Sequence, residues 1–554
     1  MNALSIIAEL RRNNVVPRIV GDQLKLVGDT RRLSEEFIRE VRENKLALTD
    51  LLRHSMEQAE YDPIVPVAWQ ADYPASNSQE RIWVLSQFLG GNAAYNIIRS
   101  FYLQGQVDIR QLEEAFRLVI RRHESLRTVF RELDGYVRQV IREEMPFQLD
   151  FVDITGRPDQ RDYLKNEIRT AARREFDLQQ GPLIDVRLFR LSADDFGMIF
   201  CIHHIISDGW SIGVLVKEVM QAYKILCEGG RWEPVPLKIH YKDYSDWFMG
   251  RMTAGKGEQA RRFWLEKFSQ MPSPLNLPTD FARPGIRTYE GAVYRWYPKH
   301  GLYAGIQQFC RERHVTPFNF LRSALTWLLS GLSGERRVTI GTPVSGRNHF
   351  DLQDQIGIYV NTLPLAAAIV PDESFADLLR RVSDDSFSAF EHQEYPFDRI
   401  IDDLSLTRDT SRNPLFDVMM VLQDNPGGEQ NGMHRQYGFT MGLMDKYLYP
   451  SGRDEDDFIA AKLDLTFNFD HEPDKTFYLE LEYDTRLFTR RRVAGFCWLF
   501  WRIVEQVILN PAVRFRELEW VDAGERAIIL EEYNRPVGVV EDRSLPGLLA
   551  GPMR

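Results

Sequence analysis

Cysteine is scarce in this chain, with four residues among 554. They are scattered and form no CxxC pair, which argues against a disulfide framework and against a zinc site built on paired cysteines. Thiols outside such patterns usually behave as small apolar side chains in protein cores. We therefore expect all four to be buried: Cys201, Cys227, Cys310 and Cys497.

Long apolar runs and an excess of positive charge are also missing. No stretch approaches the roughly 18 apolar residues of a membrane span, and the start, MNALSIIAELRRNN, lacks the features of a signal peptide. The formal net charge is −11, and no Lys/Arg block with interleaved aromatic residues offers a basic stripe to phosphates. We expect a cytoplasmic protein whose partners include neither a membrane nor a nucleic acid.

Two phosphate-binding motifs are absent as well: the P-loop, G-x-x-x-x-G-K-[ST], and the dinucleotide fingerprint, G-x-G-x-x-G, after a strand. ATP and dinucleotide chemistry therefore lack support. We also expect no G-x-S-x-G nucleophile elbow and hence no serine-hydrolase mechanism. The chain is 44% hydrophobic, which is ample apolar material for two or three domains.

The first 58 residues are predicted to form a separate small unit. It contains a helix over ALSIIAELRRN, a hairpin in PRIVGDQLKLVGD that turns at Gly21-Asp22, and further helices starting near Ser34. Residues 59–72 are proline-rich and aperiodic, as is typical of a linker.

From residue 72 to about 520, strands alternate with long amphipathic helices, which predicts an α/β fold. One helix is predicted after Asp108 and Gln111, which have the spacing of a capping box. Its apolar stripe recurs at helical spacing in Leu112, Ala115, Phe116, Val119 and Ile120. Trp83 and Trp210 are predicted core residues.

The segment CIHHIISDGWS, residues 201–211, combines an apolar strand with two histidines and a following helix. Met198 to His204 is predicted to be a strand buried on both faces, so His203 and His204 point to opposite sides and cannot share a metal. The helix is predicted from Ser211 to Gly229-Gly230.

Two interpretations of this segment stay open. The helix N-terminus favours an oxyanion beside an imidazole, which suits direct transfer from an activated acyl donor to an external nucleophile. Alternatively, both histidines are hydrogen-bonded core residues and Asp208 only caps the helix.

HHIISDG, residues 203–209, resembles the HHxxxDG signature of nonribosomal peptide synthetase condensation domains, which belong to the chloramphenicol-acetyltransferase-like superfamily. Six further segments resemble that family's other motifs in the expected order. They are SNSQERIWVLSQF (76–88), RHESLRTVF (122–130), YKDYSDWF (241–248), IGIYVNTLPL (356–365), HQEYPFD (392–398) and RDTSRNPLFDVMMVLQ (408–423).

The resemblance implies two chloramphenicol-acetyltransferase-like lobes in a V shape, with an N-lobe at 73–240 and a C-lobe at 241–520. It also implies an acyltransferase that forms an amide between an upstream peptidyl or aminoacyl thioester, L-configured, and a downstream aminoacyl thioester. Both substrates arrive on phosphopantetheine arms of donor and acceptor carrier proteins. The domain itself is expected to bind no cofactor and no metal.

The resemblance also implies roles for single residues. His204 takes a proton from the acceptor amine or orients it, and Gly209 lets a backbone amide approach the oxyanion. Asp208 is expected to pair with Arg347 in GTPVSGR, and His203 to orient the loop. Supporting roles are assigned to Arg127, His123 and Asn361. Asn361 is either a turn residue or a lobe contact.

The two ends of the chain carry separate expectations. Residues 1–58 resemble a tubulysin-synthetase-type docking domain, which implies that Arg18, Asp22 and Lys25 help select the C-terminal tail of an upstream subunit. Residues 521–554 resemble the linker and start of an adenylation domain, which implies a longer chain.

Three alternatives remain at this point. An epimerization domain shares the double histidine, but it follows a carrier domain. A heterocyclization domain carries aspartates where His203 and His204 stand. A recruitment domain without catalysis is expected to have lost the HHxxxDG residues. The amino acids joined, the product, the upstream subunit and the oligomeric state are not specified by the sequence.

Overall fold

The structure is a computed structural model. It describes residues 6, 16–20, 23–27, 35–45, 62–88, 90–253, 255–270, 274–406, 409–423, 439–449, 459–472, 476–521 and 523–535. The chain divides into two compact units, Met1–Val65 and Pro66–Arg554. The division falls inside the segment predicted to be a linker.

The first unit contains an antiparallel hairpin of β1 (Val16–Val20) and β2 (Gln23–Val27), followed by helix α1 (Glu35–Glu43). Val20 pairs with Gln23, so two residues connect the strands and the predicted hairpin is confirmed. The register also pairs Arg18 with Lys25. Asp22 and Ser34 lie outside the described residues, and of the predicted first helix only Ile6 is described, in helical conformation.

The second unit alternates strands and helices. Its strands are β3 (Tyr73–Pro74), β4 (Asn96–Gly105), β5 (Thr128–Leu133), β6 (Tyr136–Ile141), β7 (Asp150–Asp153), β8 (Ile184–Arg190), β9 (Asp195–His203), β10 (Glu290–Trp296), β11 (Arg337–Val344), β12 (Asn361–Ala368), β13 (Val418–Leu422), β14 (Phe439–Leu443), β15 (Ile459–Ala460), β16 (Leu465–His471) and β17 (Phe477–Asp484).

Its α-helices are α2 (Asn77–Ser86), α3 (Gly91–Ala94), α4 (Ile109–Arg122), α5 (Gln160–Ala172), α6 (Gly209–Cys227), α7 (Tyr241–Thr253), α8 (Gly255–Lys267), α9 (Leu302–Arg313), α10 (Pro317–Ser333), α11 (Phe375–Glu391), α12 (Phe397–Asp403), α13 (Asp445–Leu448), α14 (Arg490–Leu509) and α15 (Ala523–Ala527). Short 3₁₀ turns occur at Glu124–Arg127, His204–Ile206, Phe350–Leu352 and Phe515–Glu517, and a π turn at Ile528–Glu532.

The strands form three sheets in this unit. The first has five strands in the order β14-β4-β9-β8-β7, and all its neighbours are antiparallel except β7 and β8. The second has seven strands in the order β12-β11-β13-β16-β17-β10-β15, and the third has the order β3-β6-β5. This composition confirms the predicted α/β class.

The larger sheet carries the larger core. Helices α10, α11 and α14 pack against it and exclude water from its inner face. The largest fully buried side chains of this core are Trp327, Phe320, Phe375, Phe467 and Phe469.

One strand crosses between the predicted lobes. Strand β14 lies within the range predicted as C-lobe, yet it pairs with β4 of the first sheet, with Leu443 opposite Phe101. The next residue, Met444, is fully buried and its amide donates to the carbonyl of Ser100 at 3.1 Å. The chain after β13 therefore completes the sheet that carries β9.

Local predictions agree with the structure in most places. Asp108 caps α4 by accepting from the amides of Arg110 and Gln111, and the predicted stripe of α4 is buried. Helix α6 begins two residues before the predicted start, at Gly209, because the side chain of Asp208 caps it.

Two burial predictions are wrong. Cys227 is exposed at the end of α6, whereas the other three cysteines are buried. Trp210 is 52% exposed, although Trp83 is buried as expected. Exposure at these two positions depends on what packs against α6, which a sequence pattern does not reveal.

No helix within the described ranges is long and apolar enough to cross a membrane.

We predict that Met444→Ala lowers the free energy of unfolding by about 2–5 kcal/mol, because it removes a fully buried side chain that packs against Gly197. Leu443→Ala is the matched control on the same crossing segment. Leu443 is 46% exposed, so its loss is expected to stay within about 0.5 kcal/mol. Urea unfolding measures both, and equal effects would contradict the docking of this segment.

Candidate functional site

His203 ends strand β9 and is completely buried. Its Nδ1 accepts a hydrogen bond from the amide of Ile205 at 3.3 Å, and its ring meets Phe176 edge-on at 6.0 Å. Burial, together with His204 and Lys462, lowers the pKa of His203 to about 3. His203 is therefore neutral and holds the turn that follows it.

His204 opens the 3₁₀ turn that connects β9 to α6. Its amide donates to the carbonyl of Tyr95 at 2.8 Å, and the two rings meet edge-on at 6.4 Å. The residue keeps some accessible surface, yet burial, then Lys462 and Arg81, lower its pKa to about 3. Its buried Nδ1 has no hydrogen-bond partner among the described residues.

The prediction that His204 continues the strand is wrong. The strand ends at His203, and the turn re-aims the next side chain toward Tyr95 rather than along the strand face. The two rings contact different aromatic side chains, Phe176 and Tyr95. Among the described residues, no group of three or more His, Cys, Asp or Glu is arranged to hold a metal ion.

Asp208 is buried at the N-terminus of α6 and uses both carboxylate oxygens. Oδ1 accepts from the amide of Ser211 at 2.8 Å, from its hydroxyl at 2.7 Å and from Arg347 Nη2 at 3.1 Å. Oδ2 accepts from the amide of Tyr359 at 3.0 Å. The structure thus brings together Asp208 and Arg347, as the resemblance implied.

Arg347 extends this network on its other side. Its Nη1 donates to the carbonyls of Leu352 and of Gln355, the latter at 2.8 Å, and its guanidinium lies 4.1 Å from the ring centroid of Tyr359. Nη2 also donates to Ser211 Oγ at 2.7 Å. Sequence reasoning missed Tyr359 and Ser211 as members, although Tyr359 lies inside the motif IGIYVNTLPL.

The expectation that the chain has no G-x-S-x-G nucleophile elbow is wrong as to spacing, because residues 209–213, GWSIG, fit that pattern. The structure argues against that role. Ser211 is completely buried, and its Oγ is engaged by Asp208, Arg347 and the backbone of Gly357. Its hydroxyl serves the network at the helix start.

Gly209 is the first residue of α6 and is exposed. A Cβ placed there would meet nothing within 4 Å, so packing does not require glycine and the space beside this backbone is open. The next residue, Trp210, donates from Nε1 to the carbonyl of Gln353 at 2.9 Å.

The three predicted supporting residues lie in separate networks. His123 Nε2 is 2.8 Å from Glu218 Oε2, which joins the end of α4 to α6. Arg127 Nη1 donates to the carbonyls of Arg142 and of Glu143, the latter at 3.2 Å. None of these contacts reaches His204.

Asn361 begins strand β12, so of its two open interpretations that of a turn residue is wrong. Its Nδ2 donates to the carbonyls of Gln393 at 2.9 Å and Tyr395 at 2.8 Å, and its Oδ1 accepts from the amide of Phe397 at 3.1 Å. Asn361 fastens the segment ahead of α12 to the larger sheet. These partners all lie within 241–520, so these bonds do not join the predicted lobes.

A recess lies between the start of α2, helix α7, the segment 358–361 and Pro396. Tyr241 bridges its walls, since its hydroxyl donates to the carbonyl of Ile358 at 2.7 Å and lies 2.8 Å from Ser76 Oγ. Four segments that the sequence analysis singled out thus meet around this recess, namely 76–88, 241–248, 356–365 and 392–398.

The sequence profile described as Condensation domain matches residues 69–530 of this chain. This chain belongs to the condensation domain family.

The curated relatives of this condensation domain are peptide synthetases. It is 32% identical over 477 residues to tyrocidine synthase 3 of Brevibacillus parabrevis, a match that covers 86% of this chain and 7% of that protein. It is 32% identical over 520 residues to bacitracin synthase 3 of Bacillus licheniformis, a match that covers 93% of this chain and 8% of that protein. The chain thus spans less than a tenth of the length of either relative.

Solved structures show the same fold. The X-domain from teicoplanin biosynthesis matches with a TM-score of 0.74 at 24% identity, over 82% of this chain and 99% of that one. A holo four-domain nonribosomal peptide synthetase bound to AMP and glycine matches with a TM-score of 0.72 at 21% identity, over 85% of this chain and 35% of that one.

We predict that Asp208→Ala and Arg347→Met each lower the free energy of unfolding by about 3–5 kcal/mol, because each leaves one buried charge without its partner. The double variant is expected to lose less than the sum of the two. Urea unfolding in a double-mutant cycle measures this coupling.

Arg380→Ala is the control, since Arg380 is 72% exposed and its pair with Asp377 is expected to contribute under about 1 kcal/mol. Additive effects of Asp208→Ala and Arg347→Met would contradict a coupled pair.

Proposed function

We propose that this condensation domain forms an amide bond between an upstream carrier-bound acyl group and a downstream aminoacyl thioester. The donor is a peptidyl or aminoacyl group, L-configured. The two lobes, at 73–240 and 241–520, form a V, and both substrates enter on the phosphopantetheine arms of their carrier proteins. Residues 521–554 lead toward an adenylation domain.

The observation that carries this proposal is the state of His204. It is a neutral imidazole with accessible surface, placed in a fixed turn beside the open start of α6. A neutral ring nitrogen accepts a hydrogen bond, which is what an amine nucleophile offers. The nearby hydroxyl of Ser211 is buried and engaged, which favours an external nucleophile over one supplied by the protein.

The proposed reaction needs no redox partner. The neutral amine nitrogen of the acceptor attacks the carbonyl carbon of the donor thioester, and the C–N bond forms. The carbonyl oxygen carries the negative charge of the tetrahedral intermediate. The C–S bond then breaks, the donor arm leaves as a thiolate, and the proton lost by nitrogen ends on that sulfur.

His204 acts in this proposal by orienting the amine. An α-ammonium group has a pKa of about 8, roughly five units above that of His204, and proton transfer between them would be uphill by about 7 kcal/mol. About half of the amine is already neutral near pH 8, so it does not need a strong base. Holding it at the thioester carbon is the larger contribution.

The start of α6 is the proposed oxyanion site. The backbone at Gly209 borders open space, and the positive end of the helix dipole favours negative charge there. Asp208 is occupied with Arg347, Ser211 and Tyr359, so its charge is compensated within the protein. His203 keeps the turn in place through Ile205.

The first unit is proposed to dock the C-terminal tail of an upstream subunit. The hairpin β1–β2 offers strand edges to an extended peptide, and Arg18 and Lys25 stand opposite each other in its register. With Asp22, they supply the charges proposed to discriminate between tails.

We predict that His204→Ala lowers amide formation at least 100-fold, whereas His204→Gln retains more than a tenth of the wild-type rate. A glutamine carbonyl accepts a hydrogen bond from the amine but is not a base at neutral pH. Single-turnover transfer between loaded donor and acceptor carrier proteins, followed by intact-mass spectrometry, measures both variants.

Equal losses in the two variants would contradict orientation and favour proton removal. If the wild type binds both carriers but yields no amide, recruitment replaces the proposed activity. If the wild type inverts the donor residue without forming an amide, epimerization replaces the proposed activity. Asn361→Asp, which alters a network away from His204, is the control for general damage to the fold.

We predict that removing residues 1–58 raises the donor-carrier concentration needed for half-maximal transfer at least tenfold and leaves the rate at saturation unchanged. The donor carrier must keep its natural C-terminal tail. A donor without that tail is the control and is expected to show no difference. A lower rate at saturation would contradict a docking role.

A further inference from the structure

Lys462 lies beside the proposed reaction site, although it belongs to none of the motifs. Its Nζ is 4.8 Å from the ring centroid of Tyr95. Tyr95 touches His204 in two ways, since its carbonyl accepts from the His204 amide at 2.8 Å and the rings meet at 6.4 Å. One aromatic side chain therefore connects the ammonium to the imidazole.

The backbone around Lys462 is firmly held. Ala461 is fully buried, and its amide donates to the carbonyl of Tyr289 at 3.1 Å. The Cβ of Ala461 would lie 2.5 Å from a Cβ added at Gly291. Asp464 is also buried and receives Arg283 Nη1 at 2.9 Å. The position of the ammonium is therefore set by the larger sheet and its neighbours.

Glu482 on β17 is the carboxylate that acts on Lys462. Each group favours the charged form of the other, so an ionised Glu482 attracts the ammonium. Burial raises the pKa of Glu482 to about 7 and lowers that of Lys462, and in each case the charge of the partner opposes the shift. The two groups form an electrostatically linked pair.

These groups are partly accessible to solvent. Lys462, Glu482, Arg81 and His204 all keep intermediate accessibility. For each of them, however, burial is the largest influence on the pKa, so protein surrounds them on most sides. Groups that are deep and still accessible are available to a bound substrate.

We propose that Lys462, packed on Tyr95, is a positioning residue that holds the Tyr95–His204 pair and places a positive charge beside the imidazole. This inference rests on the proposed amide-forming function. A cation at this place disfavours protonation of His204, so the ring keeps a lone pair for the amine. Lys462 acts through His204 and is not itself assigned to the reacting atoms.

The other charges around His204 are accounted for as follows. Arg81 on α2 also disfavours the imidazolium and is paired with Asp398 at 3.6 Å. His203 is neutral in the same turn. The carboxylates on the Lys462 side are Glu482 and, on the same strand, Glu480. Removing the Lys462 charge therefore leaves Arg81 as the nearby cation and is expected to raise the pKa of His204.

The test uses the full chain with Lys462→Met, Lys462→Arg and a matched surface control, Lys299→Met. Lys299 is 81% exposed and pairs with Glu505 at 2.8 Å. We expect single-turnover amide formation to fall roughly tenfold or more in Lys462→Met, to return to within about threefold in Lys462→Arg, and to be unchanged in the control. Affinity for both carriers should not change.

The second readout is the titration of His204 by NMR of the full chain labelled with ¹³C at histidine Cε1. The resonance is assigned by its absence in His204→Gln. As the pH is lowered from about 7, we expect the imidazole of Lys462→Met to protonate about one pH unit or more above that of the wild type.

A wild-type rate together with an unchanged His204 titration in Lys462→Met would overturn the inference. So would a lower rate that accompanies lower thermal stability and an unchanged titration, because that combination indicates a purely structural role. If the wild type forms no amide, the proposed function fails, but the His204 titration still decides whether Lys462 governs its charge.

Discussion

The buried ion pair of Asp208 and Arg347 is the interaction on which the rest of the site depends. Moving two charges out of water costs several kcal/mol per ion, and geometry must offset that cost. Here Asp208 accepts four hydrogen bonds and Arg347 donates four while lying on the Tyr359 ring. A pair held by this many hydrogen bonds contributes a fixed arrangement more than net stability. It joins the start of α6 to the segment 347–359 and leaves the helix little freedom to shift.

That constraint explains how His204, the histidine proposed to orient the amine, can sit in a short turn. The turn His204–Ile206 has β9 on one side, fixed by its ladder with β4, and α6 on the other, fixed by Asp208. His203 closes the gap through its bond to the amide of Ile205. Both ends of the turn are thus held by different parts of the fold. A displacement of about 1 Å at the reacting group can lower a rate roughly 100-fold, so this support matters to the chemistry.

The sequence predicted the features that depend on local patterns. Side-chain periodicity and capping predict the strand before His203, the helix after Asp208, the cap at Asp108 and the α/β class. The proximity of Asp208 and Arg347 came instead from the family motifs, because 138 intervening residues leave no local signal. The pairing of β14 with β4 had neither kind of signal, since an edge strand is selected by the surface it meets. Trp210 and Cys227 were misjudged for the same reason: exposure is a property of the assembled fold.

Charge balance around His204 shows why sequence reasoning did not reach Lys462. A lone lysine between two strands reads as a solvated side chain, and only the fold places it against Tyr95. In the folded chain two cations act on the imidazole, and each has a carboxylate partner: Arg81 with Asp398, and Lys462 with Glu482. These pairs carry little net charge, although the two cations rather than their partners act on the pKa of His204. The local field therefore disfavours a second proton on His204 without repelling a neutral amine. Under the proposed function, a site of this kind selects the nucleophile in its reactive, uncharged form, and the domain then has only to hold it in line with the thioester carbon.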